Sequence, residues 1–225
     1  MVVVLCEKPR YVFIHNPKAG GISVSTALRQ GARAFKVPLV EHQLPFHADW
    51  QQVVASQGAD WVAGACVFGV IRNPWARMVS WWNHIRETAA GRIEARRRGE
   101  PVKAGSSDDD DHRILEETGD LGFSDWILSQ ADVAHGYDIP FVRKPQLSWF
   151  MDSKGIVRAD KLLILERFDE NFLVPYFVPL GFSEKPSNRS VNRTPYSAYY
   201  SSECRDFIAE HFAPDIEWGN YTFGD

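Results

Sequence analysis

A lysine, two glycines and a group of hydroxyl side chains follow a short hydrophobic run near the start of the chain. In the stretch YVFIHNPKAGGISVSTALRQ, which begins at Tyr11, Lys18 precedes Gly20 and Gly21. The hydroxyl-bearing residues that follow are Ser23, Ser25 and Thr26. Glycines let a backbone approach a ligand closely, and the N–H groups at a helix start attract anions. The stretch therefore predicts an anion-binding cradle at a strand-to-helix turn; an ordinary turn with glycines for packing is the alternative.

The order of lysine and glycines differs from that of the common nucleoside triphosphate loop. The pattern G-x-x-x-x-G-K-[ST] is absent, and so is G-x-G-x-x-G in this turn. No aspartate ends a second strand where it could hold magnesium, and the acidic run Asp108–Asp111 is typical of a solvated surface. The sequence therefore predicts no metal site.

A second set of residues with anion-binding chemistry lies in FGVIRNPWARMVSWW. Arg72 comes at the end of the strongest strand candidate, and Ser80 follows two helical turns later. A guanidinium group and a hydroxyl in this arrangement could hold one phosphate. A surface arginine and a serine packed within the helix are the alternative.

Taken together, the two sets resemble a known family. HNPKAGG-IS resembles the H-x-P-K-T-G-G-T-S loop of the carbohydrate-type sulfotransferases, and VIRNPWARMVSWW resembles their V-R-N-P-W-D-R-x-V-S-x-Y segment. Weaker matches include RKPQLSWFMDSKG and LLILERFDENF, so the resemblance covers nearly the whole chain. Members of this family transfer a sulfuryl group from 3′-phosphoadenosine 5′-phosphosulfate (PAPS) to an acceptor hydroxyl and release adenosine 3′,5′-bisphosphate (PAP).

The resemblance implies a role for each matching residue. Lys18 would contact the oxygen that bridges phosphate and sulfate, while Arg72 and Ser80 would hold the 3′-phosphate. The residues that would cradle the 5′-phosphosulfate are Ala19, Gly20, Gly21, Ile22 and Ser23. The segment near Asn192 and Arg193 resembles the family loop that covers the nucleotide. The sequence departs from the family at Ala19 and Ile22, each of which stands where threonine is usual.

Sulfuryl transfer also needs a base for the acceptor proton, and histidine is the usual side chain near neutral pH. His47, in PFHADW, resembles the histidine of the family segment G-H-A-T, which is the proposed base. His42 lies on the same connection and is the first rival. His15 matches a family position at the end of the first strand, where a structural hydrogen bond is the expected role.

The elements that must position these residues alternate between strands and helices. The strand candidates are Val12–Ile14, Ala34–Val40, Ala63–Ile71 and Lys161–Phe168, the second weakened by Pro38. The helix candidates are Ser23–Gln30, a helix capped by Asp49 that ends at Ser56, Trp75–Glu87 with Pro74 in its first turn, Phe123–Ser129, Asn171–Leu180 and Ala198–Phe212. This alternation predicts an α/β protein with a mainly parallel, doubly wound sheet and flanking helices. The resemblance implies the P-loop-like sulfotransferase version of that fold.

Length and composition predict one domain over residues 1–225, with an exposed excursion at about 91–119 that is first basic and then acidic. A net charge of −4 argues against nucleic acid as the partner. Cys6, Cys66 and Cys204 show no metal-ligand spacing, which favours a reduced, cytoplasmic protein. No signal peptide or membrane anchor is expected.

These observations predict a PAPS-dependent sulfotransferase that acts on a hydroxyl of a carbohydrate or related small molecule without a metal. Two alternatives stay open. One is a nucleotide kinase or other phosphotransferase, and the other is a non-catalytic module that binds PAP or another nucleotide. The sequence names neither the acceptor nor the oligomeric state.

Overall fold

The computed structural model of the chain describes residues 4–7, 10–34, 36–39, 44, 47–102, 112–113, 115–116, 118–119, 121–129, 144–167 and 194–224. The chain divides into two compact units. The first unit comprises Met1–Asn73, Lys144–Arg193 and Glu217–Asn220. The second unit comprises Pro74–Arg143, Thr194–Ile216 and Tyr221–Asp225.

The first unit is built on a four-stranded mixed sheet in the order β1-β2-β3-β4. The strands are β1 (Val4–Glu7), β2 (Arg10–Ile14), β3 (Cys66–Ile71) and β4 (Lys161–Ile164). β1 is antiparallel to β2, whereas β2, β3 and β4 are parallel to one another. The carboxyl ends of the three parallel strands therefore lie at one edge of the sheet.

Both faces of the sheet are covered, which explains why residues 11–14 of β2 and 67–71 of β3 are buried and lack charged side chains. Because side chains alternate along a strand, Phe68 and Val70 share one face of β3 and Gly69 lies on the other. The first face packs with Val24 and Leu28 of helix α1 (Gly21–Ala34) in the main hydrophobic core. On the second face a Cβ at Gly69 would lie 2.2 Å from the Phe150 ring, so the ring packs against the strand backbone.

Short helices complete the first unit. Helix α2 (Trp50–Gln57) begins with a capping box, in which Asp49 accepts from the Gln52 N–H and the Gln52 side chain accepts from the Asp49 N–H. Helix α3 (Ala59–Ala63) follows directly. Two 3-10 helices cover Gln146–Phe150 and Leu165–Arg167.

The second unit is helical in its described part. Its helices are α4 (Pro74–Arg97), α5 (Gly122–Ser129), a 3-10 helix (Tyr196–Tyr199), α6 (Ser202–His211) and α7 (Ala213–Gly219), whose last residues belong to the first unit. Its rings form an aromatic cluster of Trp75, Trp82, Phe123, Tyr196, Tyr199, Tyr200 and Phe223, with neighbouring centroids 4.8 to 5.9 Å apart.

The α/β class and the helices that begin near Ser23, Trp50, Pro74 and Phe123 are confirmed. The strand predicted at Ala34–Val40 is wrong: Ala34 ends α1, and Leu39 makes only an isolated bridge to Cys6. Pro38 has no N–H with which to extend that pairing. The helix predicted to end at Glu87 is longer: α4 continues to Arg97 and buries Ile93, so it enters the segment predicted to be an exposed excursion.

Two further elements differ from expectation at their ends. β4 stops at Ile164 and becomes a 3-10 helix, and the helix predicted at Ala198–Phe212 is divided between a 3-10 turn and α6. The predicted helix Asn171–Leu180 lies outside the described residues. Across the described residues, no helix combines the length and apolar character required to cross a membrane.

Candidate functional site

The candidate site lies where β2, β3 and β4 end. Residues 15–20 follow β2, Arg72 and Asn73 follow β3, and the 3-10 helix Leu165–Arg167 follows β4. Ligands of parallel sheets bind beyond the carboxyl ends of the strands. All three segments belong to the first unit.

The loop after β2 is built from backbone conformations that most side chains avoid. Lys18 has a φ of 62° and Gly20 a φ of 77°, both in the left-handed region. The Gly20 carbonyl then accepts from the N–H groups of Ser23 and Val24 at 3.1 and 3.3 Å, which starts α1. The first turn of α1 contains no acidic residue, so the positive end of its dipole is not neutralised from within the helix.

Two steric constraints fix the glycines of this loop. A Cβ at Gly21 would lie 1.7 Å from Cδ2 of His15, and a Cβ at Gly20 would lie 2.6 Å from Cδ1 of Leu165. The His15 ring therefore packs directly against the start of α1. A side chain at Gly21 would displace the His15 ring or the loop, and one at Gly20 would be strained by the positive φ and would displace the end of the Leu165 side chain.

The neighbouring cradle residues differ in exposure. Ala19 is fully buried, whereas 48% of Ile22 is exposed. The buried Ser25 hydroxyl donates to the Ile22 carbonyl at 3.0 Å. The Ser25 hydroxyl is therefore engaged within the first turn of α1, and the half-buried Ser23 is the cradle hydroxyl nearest the loop.

Arg72 contacts the Lys18 loop directly. Its Nη1 donates to the Lys18 carbonyl at 3.4 Å, while its Nε lies 3.9 Å from Oε1 of Glu166. The same Glu166 oxygen accepts from the Asn73 N–H at 3.0 Å. The two predicted anion-binding segments are thus joined by a side chain-to-backbone hydrogen bond.

A buried amide, Gln146, holds the Arg72 loop in place. Its Oε1 accepts from the Arg72 N–H at 2.9 Å, and its Nε2 donates to the Arg72 carbonyl at 2.7 Å. Asn16 donates from Nδ2 to the same Gln146 oxygen at 2.9 Å and to the Val70 carbonyl at 3.3 Å. This network links the loops after β2 and β3 through groups that water does not reach.

His47 stands beside the loop after β2. Its Nδ1 lies 3.3 Å from the His15 carbonyl oxygen, and the two imidazole centroids are 4.8 Å apart. Since a carbonyl can only accept, this contact is a hydrogen bond when Nδ1 carries the proton, and the lone pair of the neutral ring is then on Nε2. The arrangement gives His47 a nitrogen that can accept a proton.

His15, by contrast, is kept neutral. The pKa of His15 is lowered to about 3, chiefly by burial, and the nearby His47, Lys18 and Arg29 act in the same direction. A ring of such low basicity is a poor proton acceptor near neutral pH. His15 instead supports the site with its carbonyl and its packing against Gly21.

A third group extends beyond His47. The Trp149 indole lies edge-on to His47, with centroids 6.1 Å apart, and the Lys144 ammonium lies 4.3 Å from the indole centroid. Lys144 donates to Oδ2 of Asp49 at 2.8 Å. Asp49 comes two residues after His47, so this ion pair ties the His47 segment to residues 144–149.

The remaining predicted site residues lie elsewhere. Ser80 is half-buried on α4 in the second unit, and its pairing with Arg72 stays a prediction. His42, Asn192 and Arg193 lie outside the described residues. In the part of the chain that the structure describes, no group of three or more His, Cys, Asp or Glu side chains is arranged to hold a metal ion.

The residues that sequence reasoning missed are Asn16, Lys144, Gln146, Trp149 and Glu166. Gln146 and Trp149 lie in RKPQLSWFMDSKG, and Glu166 lies in LLILERFDENF, which were only weak family matches. No family model, curated protein or solved structure significantly matches the chain.

Proposed function

We propose that the protein is a PAPS-dependent sulfotransferase with a doubly wound, P-loop-like sulfotransferase fold. The observation that carries this proposal is the hydrogen bond from Arg72 to the Lys18 carbonyl. It brings the segments of Lys18 and Arg72, each with a cationic side chain, side by side at one edge of the sheet. A donor with a 5′-phosphosulfate and a 3′-phosphate requires two such segments.

The residues of the first unit fit this donor. Gly20 and Gly21 have no space for side chains, and the start of α1 offers N–H groups without an opposing acid in its first turn. These groups would hold the 5′-phosphosulfate, with Lys18 neutralising charge on the leaving phosphate oxygen. Arg72 would hold the 3′-phosphate. PAPS, when bound, supplies the sulfuryl group.

The acceptor proton has a defined destination. Because the His47 Nδ1 proton is directed to the His15 carbonyl, Nε2 accepts the proton of the acceptor hydroxyl. The acceptor oxygen forms the new bond to sulfur as the bond from sulfur to the bridging oxygen breaks, and PAP leaves. Lys18 offsets the negative charge on that bridging oxygen.

Calorimetry with PAP tests the donor assignment. We expect PAP to bind more tightly than adenosine 5′-monophosphate, which lacks the 3′-phosphate, and Arg72→Gln to remove that difference while leaving binding of the monophosphate nearly unchanged. If the wild-type protein does not bind PAP, or binds Mg²⁺-ATP in preference to it, the proposal is wrong and a phosphotransferase becomes the better account.

Turnover separates an enzyme from a binding module. We expect His47→Ala to lower the transfer rate from labelled PAPS by about 10²–10⁴-fold while PAP affinity is retained. His15→Gln serves as the matched histidine substitution, because it retains the carbonyl that orients His47. Transfer that survives in His47→Ala would move the base elsewhere, with His42 as the next candidate. PAP binding without transfer to any acceptor would support a non-catalytic module.

A further inference from the structure

The half-buried imidazole of His47 contacts two buried rings and a backbone carbonyl. Its centroid lies 4.8 Å from that of the His15 ring and 6.1 Å from that of the Trp149 indole, and its Nδ1 lies 3.3 Å from the His15 carbonyl oxygen. His15 is 3% exposed and Trp149 is 1% exposed, so close packing keeps both rings from moving aside. These contacts restrict how far the imidazole can turn away from the carbonyl.

Trp149 belongs to the 3-10 helix Gln146–Phe150, which is fixed to the loop after β3. Gln146 accepts from the Arg72 N–H at 2.9 Å and donates to the Arg72 carbonyl at 2.7 Å. Residues three apart on a 3-10 helix lie on the same side of it, and Gln146 and Trp149 have this spacing. One short helix therefore contacts both the Arg72 loop and His47.

An ion pair anchors the backbone that carries His47. Lys144 donates to Oδ2 of Asp49 at 2.8 Å, and its ammonium lies 4.3 Å from the centroid of the Trp149 indole. Asp49 follows His47 by two residues and accepts from the Gln52 N–H with its other oxygen. The Lys144–Asp49 pair therefore joins the His47 segment to the segment that carries Trp149.

We propose that Trp149 and Lys144 are positioning residues for His47. The indole keeps the imidazole beside the His15 carbonyl, and Lys144 anchors the following backbone through Asp49. In this position the proton of the neutral ring stays on Nδ1 and the lone pair stays on Nε2. That this lone pair then serves as the base rests on the proposed function.

Long-range proton–nitrogen NMR spectra of the histidine side chains show which nitrogen of His47 carries the proton. They are recorded at about pH 8.5, where an ordinary histidine ring is neutral. The spectrum of His47→Gln assigns the His47 signals, because they are missing from it. We expect the Nδ1–H tautomer to be in excess in the wild-type protein.

Two substitutions remove the two contacts separately. Trp149→Met replaces the indole with a flexible chain that fills part of its volume, and it should lower the ratio of the Nδ1–H to the Nε2–H tautomer by about two- to tenfold. Lys144→Met keeps the aliphatic stem beside the indole but breaks the ion pair, and it should lower the ratio by about two- to fivefold. Asp49→Asn, which keeps a helix-capping side chain, should have the same effect as Lys144→Met.

Phe150→Met is the matched control. It removes a buried ring from the same 3-10 helix, but this ring packs against β3 at Gly69. We expect Phe150→Met to destabilise the protein and to leave the tautomer ratio of His47 unchanged. If Trp149→Met does not fold, Lys144→Met and Asp49→Asn decide the question.

An excess of the Nε2–H tautomer in the wild-type protein, or a ratio that no variant lowers, would overturn the proposal. An equal fall of the ratio in Phe150→Met would overturn it too, because any loosening of the 3-10 helix would then be sufficient. These spectra need no nucleotide, so calorimetry with PAP tests the proposed function separately. A protein that shows the expected ratios but does not bind PAP would support the positioning roles and contradict the sulfotransferase.

Discussion

The loops that follow β2 and β3 leave neighbouring parallel strands but are shaped by different forces. The loop at Lys18 is fixed by steric exclusion, with two left-handed residues and glycines pressed against His15 and Leu165. The loop at Arg72 is fixed by hydrogen bonds: Gln146 accepts from the Arg72 N–H and donates to the Arg72 carbonyl, and Glu166 accepts from the Asn73 N–H. Steric packing suits a backbone that must approach an anion closely. Hydrogen bonds to the neighbouring backbone suit a side chain that must point at an anion.

The largest effect is expected at Lys18, where one substitution removes both the charge and the strain of a positive φ, and two measurements distinguish them. Lys18→Gly should lower the transfer rate by roughly 10²–10³-fold, because it removes a preorganised positive charge. The free energy of unfolding should stay the same or rise by up to about 1 kcal/mol, because glycine accepts a positive φ. Rate assays with labelled PAPS measure the transfer rate, and urea unfolding measures the free energy of unfolding.

Lys36 provides the matched control for that substitution. It also has a positive φ, of 54°, but is exposed after the end of α1. Lys36→Gly should therefore relieve the same strain without any change of rate. A Lys18→Gly protein that keeps its rate would show that the Lys18 charge has no part in transfer.

Removing Gln146 should disrupt the loop that depends on hydrogen bonds. Gln146→Leu leaves the Arg72 N–H and carbonyl without their side-chain partner, at a cost of about 2–5 kcal/mol in unfolding free energy. The affinity for PAP should also fall, because the Arg72 guanidinium is no longer held in position. Ser148→Ala, in the same 3-10 helix, removes one hydrogen bond to Pro145 and should cost about 1 kcal/mol or less. Equal costs for the two variants would contradict the role given to Gln146.

The steric packing of the Lys18 loop is tested at Gly21. Gly21→Ala should destabilise the protein by about 1–3 kcal/mol, because its Cβ would overlap the His15 ring. The cost should shrink when His15→Ala is combined with it. Gly91→Ala, in α4 where a Cβ would meet nothing within 4 Å, should instead stabilise by up to ~1 kcal/mol. Additive effects in the Gly21–His15 double variant would show that the two residues do not exclude each other.

The buried His15 also predicts how stability depends on pH. Its pKa of about 3 in the folded protein lies below the ordinary 6.5, so the unfolded chain binds the proton more readily. The contribution of His15 is complete above pH 6.5 and is lost as the pH falls towards 3; it should amount to ~2 kcal/mol between pH 6.5 and 5. Urea unfolding at the two values, with His15→Gln as the comparison, measures it. An equal pH dependence in the two proteins would contradict the neutral buried state.

The smallest expected effect concerns the counterion of Arg72. Glu166→Gln keeps an oxygen that can accept from the Asn73 N–H but removes a negative charge near the guanidinium. PAP should bind about two- to fivefold more tightly. Glu100→Gln, which breaks an exposed pair with Arg98, should leave PAP binding unchanged. Weaker binding in Glu166→Gln would mean that the carboxylate positions Arg72 in a way that glutamine does not reproduce.

The two loops also differ in how much of them the sequence revealed. The Lys18 loop and the Asp49 cap depend on residues close in the chain, so turn and capping signals in the sequence predict them. Gln146 lies 130 residues from Asn16, and Glu166 lies 93 residues from Asn73. Contacts between such distant residues are set by strand order, which local patterns do not contain.

The secondary-structure predictions that were wrong also rested on local patterns alone. Ala34–Val40 has strand-like residues, but Pro38 and the continuation of α1 prevail over local propensity. The basic segment after Gly91 resembles an exposed loop in composition, yet Ile93 is buried and α4 continues to Arg97. Pro38 and the continuation of α1 account for the first outcome, and the burial of Ile93 accounts for the second.

The central claim is that the two loops hold the two phosphates of one nucleotide, and a crystal structure of the protein with PAP tests it most directly. We expect the 5′-phosphate at the N–H groups of Gly20, Gly21 and Ile22 and at the Ser23 hydroxyl, beside Lys18, and the 3′-phosphate on the Arg72 guanidinium. A nucleotide bound with its phosphates away from these residues, or with both phosphates on one loop, would contradict it.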